Sequence, residues 1–494
     1  MSPPPDSSSL IYYSASASPG EQGAIWEISA LGRAPRRIAS ALGGGDISHD
    51  GQRIAAFQLQ GQRIELITFG RDGSGVQHVK LPEQNPCDHP RWSPDDRSIA
   101  YQRNMLDRFE EAIYIVPAAG GEPRKVARSE GLRGLAWLAD NSGLVYASSV
   151  GSTILYPPIY NLRAIKRDGS GERQLTFGEV SYVGPDVHQS GKVLASRIRI
   201  QSDIWKFPIV GSPADNTRAG IRITEQTGQA QTPSLSPDAK ELVYLSDSGG
   251  HGNLWVAKTD RSGIRQITFE RDPAVVLGVP VWSPANQIVF IRARAGHTSE
   301  WLVNPDGSGI GQFVADASCA YWSGDGRWFY YSPSAKDDFR IEKVPAGGGP
   351  PVRVRSDASC PAGILEDSTL FYLSQRKGPN GGWDFEVRRA RPEDGPSSQL
   401  LGRFAGASVP GDPILYGPVL SPDGKWIGMP LLDGATTNVF ALPAGGGAMR
   451  RFTDFGSRSV LITRRISWSP DSKYIYAAVA DIDSDVVLLD GLLR

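Results

Sequence analysis

Apolar residues in this chain come in short runs, broken at regular intervals by turn-forming residues. Leu10-Ile-Tyr-Tyr-Ser14, Arg173-Gln-Leu-Thr-Phe177, Arg265-Gln-Ile-Thr-Phe269 and Asp485-Val-Val-Leu-Leu-Asp490 are typical runs. Runs of this length, rich in β-branched and aromatic residues, predict strands. No stretch approaches the roughly 18 apolar residues that a membrane-spanning helix needs. The pattern therefore predicts many short strands joined by tight turns.

The breaks are themselves periodic. A small apolar or aromatic residue, then Ser-Pro-Asp-Gly or a variant, precedes each new apolar run. Clear copies are Trp92-Ser-Pro-Asp95, Leu235-Ser-Pro-Asp238, Trp282-Ser-Pro-Ala285, Trp322-Ser-Gly-Asp325, Leu420-Ser-Pro-Asp423 and Trp468-Ser-Pro-Asp471. Weaker copies centre on Asp50, Asp140, Ser190 and Asp367, and Asp6 looks like a further copy cut off at its front. From Asp50 to Asp471 successive markers lie 40 to 56 residues apart. Between them fall Gly-rich turns such as Asp168-Gly-Ser-Gly171, Asp306-Gly-Ser-Gly309 and Ala444-Gly-Gly-Gly447. Ser and Asp can bond nearby backbone amides, Pro fixes φ, and Gly takes the left-handed corner.

Each unit thus reads strand, marker turn, strand, loop, strand, Gly turn, strand. Four short strands in such a period match one blade of a β-propeller, so the expected fold class is all-β, with four-stranded antiparallel blades. The twelve tryptophans fit blade packing. Trp92, Trp137, Trp282, Trp322 and Trp468 precede markers; Trp26, Trp205, Trp255 and Trp301 lie in third strands, with Trp383 just before one; Trp328 and Trp426 lie in second strands. The favoured division is two rings of about five and six blades, an N-terminal propeller over 1–210 and a six-bladed one over 221–494. One large ring of ten or eleven blades is the alternative. Ile221-Arg-Ile-Thr-Glu-Gln226 is expected to close the final blade as its outer strand, whose third strand is expected at Asp485–Asp490. Gly211–Gly220 is expected to be a polar linker.

Composition narrows the function classes. Lys and Arg total 52 against 53 Asp and Glu, and basic residues are scattered, which argues against a nucleic-acid-binding groove. Gly (56) and Pro (37) are high while apolar content is 40%, which suggests turns rather than disorder. Cys87, Cys319 and Cys360 give no disulfide framework or metal spacing and are expected to be small buried hydrophobes. The start, Met1 to Asp6, carries no basic and apolar pattern of a signal peptide, and the compartment is left unassigned.

These residues resemble the TolB-like propeller repeats, a WD-repeat-like family of bacterial proteins, over nearly the whole chain. The segments that carry the resemblance are Ser202-Asp-Ile-Trp-Lys-Phe207, Gln231-Thr-Pro-Ser-Leu-Ser-Pro-Asp238, Tyr244-Leu-Ser-Asp-Ser-Gly-Gly-His-Gly-Asn-Leu-Trp255 and Arg265-Gln-Ile-Thr-Phe-Glu-Arg-Asp272. The chain is also similar to the long propeller region that follows some bacterial Ser/Thr kinase domains and winged-helix regulators. That resemblance implies a sensor or protein-interaction part, with the chemistry or DNA binding elsewhere. A kinase Gly-rich loop with its Lys, and a His-Arg-Asp loop, are absent from this sequence.

Candidate chemistry is sparse. Gly307-Ser-Gly-Ile-Gly311 reads as a turn, not a nucleophile elbow. Asp481, Asp483 and Asp485 mimic a calcium loop but lack its glycine, and are expected to flank a hairpin loop. None of the six histidines forms a metal motif, and His49 and His188 fall in marker turns. No cofactor or metal is expected. The expected function is a non-catalytic binding module for a protein, peptide or glycan. The alternative is a lyase or hydrolase whose site is assembled from several blades. Loops converge where inner strands begin, so the ligand-binding candidates are Asp88, His89, Gln231, Thr232, Arg464 and Arg465.

Overall fold

The computed structural model describes residues 8–16, 22–32, 34–61, 63–79, 81, 87–105, 110–129, 131–153, 158–294, 297–334, 339–377, 383–405 and 417–493. Their strands form successive antiparallel sheets, most of four strands in chain order. The chain is a multi-blade β-propeller. It divides into two compact units, one of Met1–Val150, Ile159–Arg199 and Ser484–Arg494, the other of Gly151–Pro158 and Ile200–Asp483. Two 16-residue strands, Val193–Pro208 and Tyr474–Leu489, give residues to both units.

In unit 2 the inner strands are Ala230–Leu235, Val275–Trp282, Ala317–Trp322, Cys360–Ile364, Val419–Leu420 and Ser467–Trp468. Apolar faces join each sheet to the next. Val243 and Val256 pack with Val275 and Phe290; Val289 with Phe329; Tyr330 and Ile341 with Tyr372; Phe371 and Leu373 with Ile427; Val439 with Ile475. The sixth sheet packs on the first through Ile204, Tyr476 and Ala478 against Ala230, Leu242 and Tyr244. Unit 1 has four sheets of its own in sequence, and four such clusters join them to one another and to the strand pair that follows, Ser181–Val187 with the start of Val193–Pro208.

The marker turns form for a local reason. In Trp92-Ser-Pro-Asp95 the Ser93 hydroxyl accepts from the Ser98 amide (2.9 Å) and donates to Asp95 (2.5 Å), while Asp95 accepts from the Arg97 amide (3.1 Å). Ser236 with Asp238, and Ser469 with Asp471, repeat the pattern. These donors hold the Asp238 and Asp471 carboxyls below their usual range. At His188 the ring takes the side-chain role, its Nδ1 accepting from the Ser190 amide at 3.1 Å. The five tryptophans before markers are all buried, and Trp137 and Trp468 donate their indole N–H to Arg91 O (3.0 Å) and Val419 O (2.9 Å) of the preceding inner strand.

Outer strands are often only two residues long, and a second device secures them. In unit 2 Thr268 follows the outer strand Arg265–Gln266. Its Oγ1 accepts from the Leu254 amide (2.8 Å) and donates to Asn253 Oδ1 (2.9 Å). Thr176 with Asn161, Thr453 with Asn438 and Thr224 with Asp203 make the same tie. All four threonines are buried. Thr268→Val keeps the shape but leaves a buried amide and Asn253 short of partners. It is expected to cost about 1–3 kcal/mol in a urea titration, whereas an exposed threonine would cost far less.

Four expectations are corrected. The polar insert is not a linker: it holds the helix Pro213–Arg218, capped by the Ser212 side chain accepting from the Asp215 amide (3.2 Å). Asn216 and Thr217 tie that helix to the end of the fifth sheet through Phe452 O (3.0 Å) and the Asp454 amide (2.7 Å). Ile221–Arg222 does close the final blade as its outer strand, but the third strand it pairs with is at Trp205 and Lys206, not at residues 485–490, which belong to unit 1. Asp481, Asp483 and Asp485 lie inside the strand Tyr474–Leu489, not beside a loop. Cys319 and Cys360 are disulfide-bonded, Cα atoms 5.6 Å apart, because neighbouring inner strands place them side by side. Cys87 lies outside that bond, and burial pushes its thiol up to about 12.

Candidate functional site at the inner strands

Inner strands in both units share a break in register where one residue takes a left-handed conformation. His89 (φ 51°), Thr232 (φ 47°), Val279 (φ 46°), Cys319 (φ 60°) and Arg464 (φ 69°) are such residues. In unit 1 Gly134 (φ 92°) and Gly184 (φ 57°) take the same place, and at Gly134 an added Cβ would meet the Gly184 backbone at 2.8 Å. A bulge of this kind bends the strand and re-aims successive side chains. Three sequence candidates, His89, Thr232 and Arg464, are bulge residues, and Asp88, Gln231 and Arg465 adjoin them.

The six fall in two units, and each set stands by itself. In unit 1 Asp88 and His89 are exposed and paired at 3.0 Å. Their charges act on Glu111, whose carboxyl burial pushes upward, opposed by the Leu132 amide and Arg133. In unit 2 Gln231, Thr232 and Arg464 are buried, and Arg465 is part-buried. Gln231 donates to Gln229 at 2.7 Å. Arg465 reaches from the sixth inner strand to the third, its Nη1 donating to Ala320 O at 2.8 Å. Its guanidinium carbon lies 5.9 Å from the Tyr321 ring centre.

Around Arg465 is a cavity of about 20 Å³, open to the centre of a water molecule. Val279, Ser318, Cys319, Cys360 and Pro361 line it, so the second, third, fourth and sixth sheets meet at one place. Glu300, on the third strand of the second sheet, was not signalled by the sequence. It shares a face with Ile291, its cross-strand partner, which also lines the cavity. The Glu300 carboxylate is fully buried, neither oxygen has a hydrogen bond among the described residues, and burial pushes it up to about 8 against the pull of Arg465.

Other chemistry-bearing residues are structural. His251 is buried with its ring nitrogens on the carbonyls of Gly252 (3.1 Å) and Asp272 (3.0 Å). The kinase-like tripeptide Asp454-Phe455-Gly456 is a turn in which Asp454 accepts from the Gly456 amide (3.0 Å) and pairs with Arg451 (2.8 Å). Among the described residues no three His, Cys, Asp or Glu side chains gather as a metal ligand set, and no helix is long and apolar enough to cross a membrane.

No protein-family model matches the chain. Among curated proteins it is similar to uncharacterized protein Atu1656 of Agrobacterium fabrum (strain C58 / ATCC 33970), 26% identical over 163 residues, which are 32% of this chain. The chain spans about half the length of that relative, 51%. Solved structures similar to it include TolB from Acinetobacter baumannii, 14% identical with a TM-score of 0.24, covering 69% of this chain and 77% of that one. Another is oligogalacturonate lyase in complex with manganese, 12% identical with a TM-score of 0.30, covering 79% and 96%.

Proposed function

We propose that this protein is a non-catalytic propeller that binds a protein or peptide where the inner strands of unit 2 converge. In this reading the two units are separate rings, of five and six blades, and the ligand is held near Gln231, Thr232, Arg464 and Arg465. Asp88 and His89 mark the corresponding place in unit 1. Such a module would be the sensor or interaction part of a bacterial signalling protein. The observation that carries the reading is the cavity at which Arg465 and Ser318 stand among apolar side chains where several inner strands converge. Polar groups are costly to bury without partners, so a place that keeps them is a candidate for recognition.

The test is selection of displayed random peptides on the immobilised chain. Enriched peptides are expected for the native protein and expected to be lost when Gln231 and Arg465 are both replaced by alanine in a chain that still folds. Equal enrichment on both proteins would refute the site. The alternative, a lyase or hydrolase, rests on the Asp88–His89 pair beside Glu111. It predicts turnover of a polymer or peptide that His89→Ala abolishes.

A further inference from the structure

We propose that the unit 2 cavity anchors the free carboxylate of a peptide C-terminus, and that Arg465 is the residue that holds it. The proposal rests on the binding role assigned to unit 2 and names the chemistry of its ligand.

Arg465 is a cation without a counter-charge at hand. Among the described residues its side chain bonds a neutral carbonyl, Ala320 O, and it forms no ion pair, the nearby Glu300 carboxylate included. A guanidinium carries five donors in a planar fork, and one bond to Ala320 leaves most of the fork for a ligand. The cavity walls supply no acid: Val279, Ile291, Ser318, Pro361 and Pro418 stand there with the disulfide. Arg464, fully buried next in sequence, adds positive charge.

The acid that acts on Arg465 is Glu300, and Glu300 is a poor counter-ion. Its carboxyl titrates at about 8, so it is mostly protonated at neutral pH. Tyr321, the other titratable group facing Arg465, is held neutral by burial. At neutral pH the cavity therefore presents net positive charge in an apolar wall, where an anion gains most. The volume of about 20 Å³ is little more than one water needs, so a group the size of a carboxylate is the largest it takes, and a pyranose ring is too large.

N-acetyl-leucine and N-acetyl-leucinamide, observed by saturation-transfer NMR on the full chain, test the anchor. The acid is expected to bind at least about tenfold more tightly than the amide near pH 6.5. Arg465→Gln, checked for fold by circular dichroism, should erase that preference. Raising the pH to about 9.5 should weaken the acid on the native protein, as Glu300 ionises beside Arg465, and leave it unchanged on Glu300→Gln. Equal binding of acid and amide to the native protein, no binding of either, or a preference that survives Arg465→Gln would overturn the proposal. Peptides selected on the native chain that bind equally well when amidated would overturn the anchor and leave the binding role standing.

Discussion

Breaking the Cys319–Cys360 bond is expected to destabilise unit 2 by about 4 kcal/mol. The bond closes a loop of sequence separation 41, and the chain-entropy relation for a loop of that size gives about that value. Both cysteines are buried, at 6% and 4% exposure, so neither gains solvation when the bond opens. The loss is expected in the urea midpoint with reductant, and again for Cys360→Ala without it, with a steeper slope because the unfolded chain without the cross-link exposes more surface. Unfolded, unreduced protein should show the Cys87 thiol alone. An unchanged midpoint together with three titratable thiols would refute the pairing.

Trp322→Ala is the second large effect, expected at about 4 kcal/mol. Trp322 ends the third inner strand just before a marker turn and is 6% exposed. Its ring lies 5.1 Å from Phe329 of its own sheet and 6.0 Å from Phe313 of the preceding one. It fills the gap between two blades, and alanine would leave a cavity among aromatic neighbours that cannot collapse into it. Its indole N–H has no hydrogen bond among the described residues, so the loss is packing rather than polarity. Trp322→Leu should recover part of the stability. Leu31→Ala, at an 87% exposed position, should change it by less than about 0.5 kcal/mol. Chemical denaturation of the three variants measures the contrast, and equal effects at Trp322 and Leu31 would contradict the blade-plug role.

The turns and strands were legible in the sequence because their signals are local. A Ser-Pro-Asp marker carries its own hydrogen bonds, and the tryptophan before it belongs at the end of an inner strand. What went unread depends on chain segments far apart. Cys319 lies six residues before the Asp325 marker and Cys360 seven before Asp367, an offset that puts both at the same height on adjacent strands. Recognising the bond required comparing positions within the repeat, not cysteine spacing alone. The threonine tie had a signal too, since Asn161, Asn253 and Asn438 each precede their threonine by 15 residues. The strand Tyr474–Leu489 escaped because its second half is largely exposed, so no apolar alternation marks it. The helix Pro213–Arg218 is too short and polar to show a 3.6-residue period.

The site divides in the same way. Asp88, His89, Gln231, Thr232, Arg464 and Arg465 were reachable because the starts of inner strands can be counted from the markers. The bulge that re-aims them was not, since Thr, Val, Cys and Arg carry no left-handed preference. Glu300 was beyond reach for another reason: in sequence it is one more acid in a polar stretch before Trp301. Only the packed second and third sheets bury it beside the cavity.

A photo-crosslink places the ligand directly. Peptides selected on the native chain, remade with a benzophenone residue and irradiated on it, should attach to residues of the unit 2 inner strands, within 229–234, 275–282, 317–322, 360–364 or 463–468. Attachment confined to outer strands or to unit 1 would contradict recognition at the unit 2 cavity.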